Sequence, residues 1–596
     1  MRRTAAAVVA LVCALVLSGC GLQFSLGFGT GEDGRFDGTE VTVPVLYASG
    51  KKGVLATQRI AAASAEGLRI DITENDLSGV DPVTQSATWT AVTAATLLTG
   101  ARPDTAYTFA FDTRIATPAA GAVTAVGVLA LYYGTEILPG VALSGAVTPF
   151  GAIRPVPGLA EQVQAAIEAG GIDTILVPAG QRTVRAAQGE TVDLDQLAAT
   201  GGMTVTEVAD IATAYAVMTG EDAPEAAFPT PPASPTPLPE ADDASAPDAV
   251  LEGAVDEMLA DADDLLALAS DPVLVDSGRA ALARAESLRA AGETDAALAA
   301  AVTAADRAAL AAAPEASAAE ATVAAGRASD GASALIDDLQ ARSPATLDDA
   351  DRVLRAATAA AEAFALARYA EDLLSDPAAD DTARTVATTA AFLATSSART
   401  ASALAALPEG GGGGLSGDAD LDAVASLLRR AGVAASEAYR TRVVAARADA
   451  DGVSLDAAEI RLAGADPAAL RALALDRARG ELTARAPQDR GWGALGIALA
   501  GYTSASPVLA ATQAVRPPSE ADADAAAAQR VAVAEEYTVA AIDALTATGA
   551  EVPFARGLLT QAVAAAEAEP AAGAGGFVTP FVAARVLAFA AGVERS

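Results

Sequence analysis

The chain has 596 residues, too many for one hydrophobic core, so several domains are expected. Hydrophobic residues make up 52% of it but aromatics only 4%, with alanine filling the difference, which favours thin helices in close contact over a broad core. A formal net charge of -37 weighs against nucleic acid as a partner, and the absence of histidine removes imidazole-activated nucleophiles and imidazole metal ligands.

The N-terminus reads MRRTAAAVVALVCALVLSGC: two arginines, an apolar run, then Leu-Ser-Gly-Cys at 17–20. A basic start and a run too short for a comfortable membrane span make an export signal. Its ending resembles the lipobox of bacterial and archaeal lipoproteins. That resemblance implies a signal peptide over 1–19, lipidation of Cys20, and a tether over 20–38. The other cysteine, Cys13, lies inside the signal, so no internal disulfide is expected. Two acyl chains would hold the protein stably on the outer face of the cell membrane, where one would be marginal.

Residues 39–219 mix strand and helix signals, which predicts an α/β (α+β) domain. TEVTVPVLYAS and LRIDITE are rich in β-branched residues and read as strands. VTQSATWTAVTAATLLTG reads as a helix stopped by Gly100. AYTFAFDTRI is a strand, and it leads through TPAAGAV into an apolar helix, VTAVGVLALYYG. GVALSGAV and TILVPAG are strands flanking the amphipathic helix PGLAEQVQAAIEAGG, closed by Gly170 and Gly171. The chain's lysines are Lys51 and Lys52 alone; VLYASGK has Val45 where a phosphate-binding loop needs its first glycine, so ATP is not expected as a partner.

Leu143 to Gln181, LSGAVTPFGAIRPVPGLAEQVQAAIEAGGIDTILVPAGQ, resembles the proteolytic domain of Lon-type (S16) serine peptidases. Upstream, PAAG stands where that family has P-S-A-G. An exported arrangement without an ATPase resembles the archaeal secreted branch. The resemblance covers about 180 of the 596 residues. It implies the Lon-type fold and a serine nucleophile paired with a buried lysine, whose proton affinity is lowered by desolvation.

Both reactive positions depart from that pattern. The nucleophile position is Ala119 and the base position is Gln162, 43 residues apart as the family spacing requires. A methyl group cannot attack a carbonyl, and an amide is no base. Ala116, Ala146 and Pro157 replace, respectively, an acidic residue, a glutamate and a glycine of the family pattern. A catalytically silent peptidase homologue is therefore expected. The alternative is an active ATP-independent endopeptidase with a relocated dyad, for which Ser144, Thr117 or Ser86 would attack with Lys51 or Lys52 as base. The lysines sit in a polar turn, SGKKG, where they are expected to be solvated, and Ser86 reads as a cap or helix-surface hydroxyl.

From 220 to 248 a Pro-, Ala-, Ser- and acid-rich stretch reads as a linker. Beyond it an all-α, alanine-rich region is expected, as helical region A over 249–409 and helical region B over 418–596. The glycines of 410–417 read as a flexible break. Gly292 stops one helix and Glu-Thr-Asp at 293–295 caps the next; Pro377 is expected near the first position of a third. The uncharged stretch from Gly491 to Val515 contains Pro507 and reads as a buried helix pair with a turn. Phe577 to Val593 carries Arg585 and reads as a terminal core helix. No metal or cofactor is expected. The expected partners are the membrane, a polypeptide ligand or partner protein and, by the ring-forming habit that the resemblance implies, further copies of the chain. In a third reading, the helical half carries the main function.

Overall fold

The computed structural model describes residues 39–65, 67–74, 80–101, 105–223, 249–407, 412–416, 420–486, 490–515 and 517–592. The signal 1–19, Cys20, the tether to residue 38 and linker residues 224–248 lie outside the described residues, as do Gly410 and Gly411. An N-terminal mixed α/β sheet domain is followed by an all-helical C-terminal region.

The sheet begins with β1 (Glu40–Ser49) and β2 (Lys52–Ser64), joined by a two-residue turn at Gly50 and Lys51. β3 (Arg69–Glu74), α1 (Pro82–Thr99) and β4 (Thr105–Phe111) follow. The chain then turns through Pro118–Ala120 into α2 (Gly121–Tyr133), β5 (Val141–Leu143), β6 (Ala146–Val147), β7 (Ile153–Arg154) and α3 (Leu159–Ala169). β8 (Thr174–Pro178), β9 (Thr183–Arg185), β10 (Thr191–Asp193), α4 (Leu194–Ala199), β11 (Thr204–Val208) and α5 (Ile211–Thr219) complete the domain. Seven strands form one sheet in the order β11-β8-β5-β1-β2-β4-β3, parallel from β11 to β1, antiparallel around β2, and parallel again between β4 and β3.

Helices cover both faces of this sheet. A Cβ at Gly127 of α2 would come within 2.5 Å of Ile60 and 3.3 Å of Val43, so the missing side chain lets α2 lie close on that face. α3 packs on the other: a Cβ at Gly53 would overlap the Glu161 carbonyl, and one at Gly158 would overlap Ala48. Gly53 and Ile60 are seven residues apart on one strand, an odd separation that puts them on opposite faces. α2 is buried from Gly121 to Tyr132, as expected of a helix that is apolar all round.

The predicted stops at Gly100 and Gly170 hold, and Gly134 ends α2 in the same way, each glycine having a positive φ and donating its N–H to a carbonyl of the last turn.

Several local expectations in the helical region are corrected. Thr294–Ala312 begins after Glu293, which makes no side-chain capping bond. Pro377 lies before its helix; Asp376 accepts from the Ala378 N–H at 2.8 Å and holds the proline in a turn. The cap of helix Asp381–Ala406 is Asp380, accepting from Ala383 at 2.8 Å. Gly491–Thr512 is one helix running through Pro507, not a pair with a turn. Its packing against helices Leu421–Tyr439, Leu347–Ser375 and Pro467–Arg485 outweighs the lost backbone bond. The described glycines of the expected break are packed: Leu347 donates to the Gly413 carbonyl at 2.8 Å, and Ser416 donates to that of Ala590 at 2.7 Å. Helices on either side of it share one core, with Gly496 seated against Ala357 and Thr358.

The two parts of the protein are joined by polar and apolar contacts. Arg585 is 5% exposed and donates to the carbonyls of Leu97 and Leu98 at 2.5 and 2.9 Å, at the last turn of α1. Arg430 donates to the Leu68 carbonyl, Arg442 pairs with Asp81, and Phe150 meets Phe581 edge-on. Among the described residues, three stretches, Thr294–Glu315, Gly491–Thr512 and Ala574–Ala591, are long and apolar enough to cross a membrane. About two thirds or more of each is buried inside the protein (67%, 67% and 72%).

Candidate functional site

The segment entering α2 is held from several directions. Buried Glu74 accepts from the Ile115 N–H at 2.9 Å, Thr84 donates to the Ile115 carbonyl at 2.6 Å, and Tyr47 donates to the Arg114 carbonyl at 3.2 Å. Burial pushes the Glu74 carboxyl up, against the opposing effects of the Ile115 N–H and Arg114. Thr117 then caps the turn, its Oγ1 accepting from the Ala119 N–H at 3.3 Å. The Ala119 carbonyl accepts from Gly145 at 3.1 Å, and the Gly145 carbonyl accepts from Ala122 at 2.9 Å, so the turn and the loop after β5 are laced together. Gly121 eases that approach: a Cβ would sit 3.2 Å from the Val147 nitrogen, closer than an ordinary contact. The small residues of TPAAGAV therefore serve a close backbone approach.

Ala119, Thr117 and Ser144 are thus gathered around one turn. Ala119 and Ser144 are 0% exposed, and the Ser144 Oγ has no hydrogen-bond partner. Gln162 lies in the first turn of α3, 1% exposed, with Nε2 donating to the Pro157 carbonyl at 3.0 Å and Oε1 buried without a partner. Among the described residues no hydrogen bond links Gln162 to Ser144 or Thr117. Lys51 and Lys52 are exposed at the β1–β2 tip, just before the Gly53 that packs on α3. No hydrogen bond joins either lysine to Ser144, so the fallback nucleophile and base are not assembled.

Ser86 is neither cap nor surface hydroxyl. It lies within α1, 3% exposed, and the cap of that helix is Asp81, accepting from the Val83 N–H at 2.9 Å. Ser86 lines a pocket of about 420 Å³ between the two parts of the protein. Pro118, Ala146 and Val147 wall it beside the Ala119 turn; Pro507 and Leu509 wall it from the helical side. Its size and mostly apolar lining suit a small ligand or a peptide side chain.

Two arginines on this pocket escaped the sequence reading. Arg154 stands directly opposite Ala146 across the β6–β7 pair and donates to the Ala510 carbonyl at 2.8 Å and to Gln513 at 3.3 Å, while its Nε is buried without a partner. Burial, with the nearby charge of Arg530 adding, pushes its guanidinium down to about 10; burial pushes Arg530 down too. One signal was available for Arg154: no acidic residue lies within six positions of it in a chain with 76 acidic residues. Arg530 carried no such signal, and the pocket itself depends on helices far apart in sequence. Among the described residues, no group of three or more Cys, Asp or Glu could hold a metal ion.

No family model matches the chain, and no curated protein matches it.

Proposed function

We propose that the protein is a lipid-anchored, extracytoplasmic Lon-like pseudopeptidase that binds polypeptide without cleaving it. The observation that carries this reading is the state of the two positions where the resemblance expects chemistry. Ala119 presents a buried methyl group in a turn whose backbone bonding is intact, and Gln162 presents a buried amide bonded to its own turn. The mixed sheet, the small-residue turn before α2 and the pocket beside it support descent from a peptide-binding cleft. The helical region then acts as the cleft's outer wall and as a scaffold.

The test uses the full chain in detergent with unfolded casein and short peptides. Binding without product formation is expected. Cleavage abolished by Ser144→Ala or Lys51→Ala would instead establish the active, ATP-independent endopeptidase. The membrane part is tested separately: the protein is expected to incorporate labelled lipid and sediment with membranes, and Cys20→Ser to do neither.

A further inference from the structure

Most of the described arginines in this acidic protein lie beside a carboxylate, as Arg440 and Arg477 do around buried Glu459. The pocket beside the Ala119 turn is different. Arg154 and Arg530 both line it, and among the described residues neither forms an ion pair. The cross-strand neighbour of Arg154 is Ala146, which offers no charge, and Arg530 has no hydrogen bond to any described residue. Asp466, the acidic residue on the pocket wall, is exposed and is occupied in capping its own helix at the Ala468 N–H. Two like charges drawn out of water toward an apolar hollow are unfavourable until an anion joins them. The rest of the wall is apolar, including Val147, Leu509 and Val578.

We propose that this pocket captures the C-terminal carboxylate of a polypeptide ending in an apolar residue, with the guanidinium groups of Arg530 and Arg154, both on its wall, as its anion-binding groups. A terminal carboxylate is planar and accepts paired N–H donors, which is the geometry a guanidinium supplies. An apolar last side chain fits the remaining walls. A side-chain carboxylate would bring polar backbone on both sides into the same hollow, which the lining does not serve. The inference rests on the polypeptide-binding reading above.

The experiment measures binding of a fluorescently labelled hexapeptide ending in Ala-Leu-Val to the full chain, as the free acid and as the C-terminal amide. The acid is expected to bind at least tenfold more tightly than the amide, a gap that high salt narrows. Arg530→Gln is expected to remove about tenfold of the acid's affinity and to leave the amide's unchanged; its Tm is expected to match the parent's. Arg154→Gln also loses the Ala510 contact, so Arg530→Gln is the cleaner variant. Equal binding of acid and amide would overturn the carboxylate assignment and leave the polypeptide-binding cleft standing. Binding of neither would overturn both.

Discussion

Asparagine in place of Asp351 is expected to make the protein less sensitive to rising pH. Helix Pro553–Ala568 starts after Val552, whose side chain cannot cap it and whose φ of 38° lies in a region that β-branched residues avoid. Its cap comes from helix Leu347–Ser375. Asp351 Oδ2 accepts from the N–H groups of Phe554 and Ala555 at 2.8 and 3.2 Å, and Asp348 Oδ1 accepts from those of Glu551 and Val552 at 2.8 and 2.9 Å. Asp351 is 2% exposed, and burial pushes its carboxyl up to about 7; the two N–H groups oppose this, while Asp295 and Asp348 add to it. The folded chain therefore holds a proton that the unfolded chain has released above about pH 4. The associated stability is fully present below that value and is lost as pH rises through about 7. Three units at about 1.4 kcal/mol each give about 4 kcal/mol, of which about 3 kcal/mol falls between pH 5 and 8.5. Asparagine keeps an acceptor for both N–H groups and does not ionise. Urea unfolding at the two pH values is expected to show the parent losing about 3 kcal/mol more than Asp351→Asn. Parallel pH profiles would refute the reasoning.

Replacing Gly496 by alanine puts a methyl against Ala357 and 3.0 Å from the Thr358 nitrogen. The clash outweighs the gain in helix propensity, so the urea midpoint is expected to fall by the equivalent of about 1–2 kcal/mol with the slope unchanged. Arg585→Met leaves two buried carbonyls of α1 without their donor and is expected to cost about 3 kcal/mol, read by thermal or urea unfolding. Ala119→Ser combined with Gln162→Lys places a hydroxyl and an amine at the two positions that the proposed reading treats as the former dyad. Casein cleavage is expected from the double variant and from neither single one; cleavage by Gln162→Lys alone would show that some other hydroxyl is in play.

The sequence was most readable where a single local rule decides the outcome. β1 and β3 announced themselves through β-branched residues, α1 and α3 through glycines that could take positive φ, and α2 through its apolar run. β2 did not, because LATQRIAAAS is rich in alanine and carries Gln58 on its inner face. That residue is 0% exposed, and its amide oxygen accepts from Thr124 at 2.8 Å, a partner on a helix 66 residues away. Pro507 and the glycines at 412–414 misled for a related reason. Each is a breaker by local rule, and each is overruled by neighbours distant in the chain. Ala119 and Gln162 were singled out by the resemblance of the flanking motifs, and their burial could not be read from it. The arginine-lined pocket was invisible because its walls come from α1, the β6–β7 pair and five separate stretches beyond residue 430.

The grip of Arg585 on the end of α1 has a consequence for biogenesis. A ribosome releases the sheet domain hundreds of residues before the helix that seals one of its flanks. Through that interval the carbonyls of Leu97 and Leu98 lack the guanidinium that will later satisfy them. That flank of the sheet domain is thus completed only by a partner made long after it, so the domain's last stabilising contacts depend on the helical region that follows.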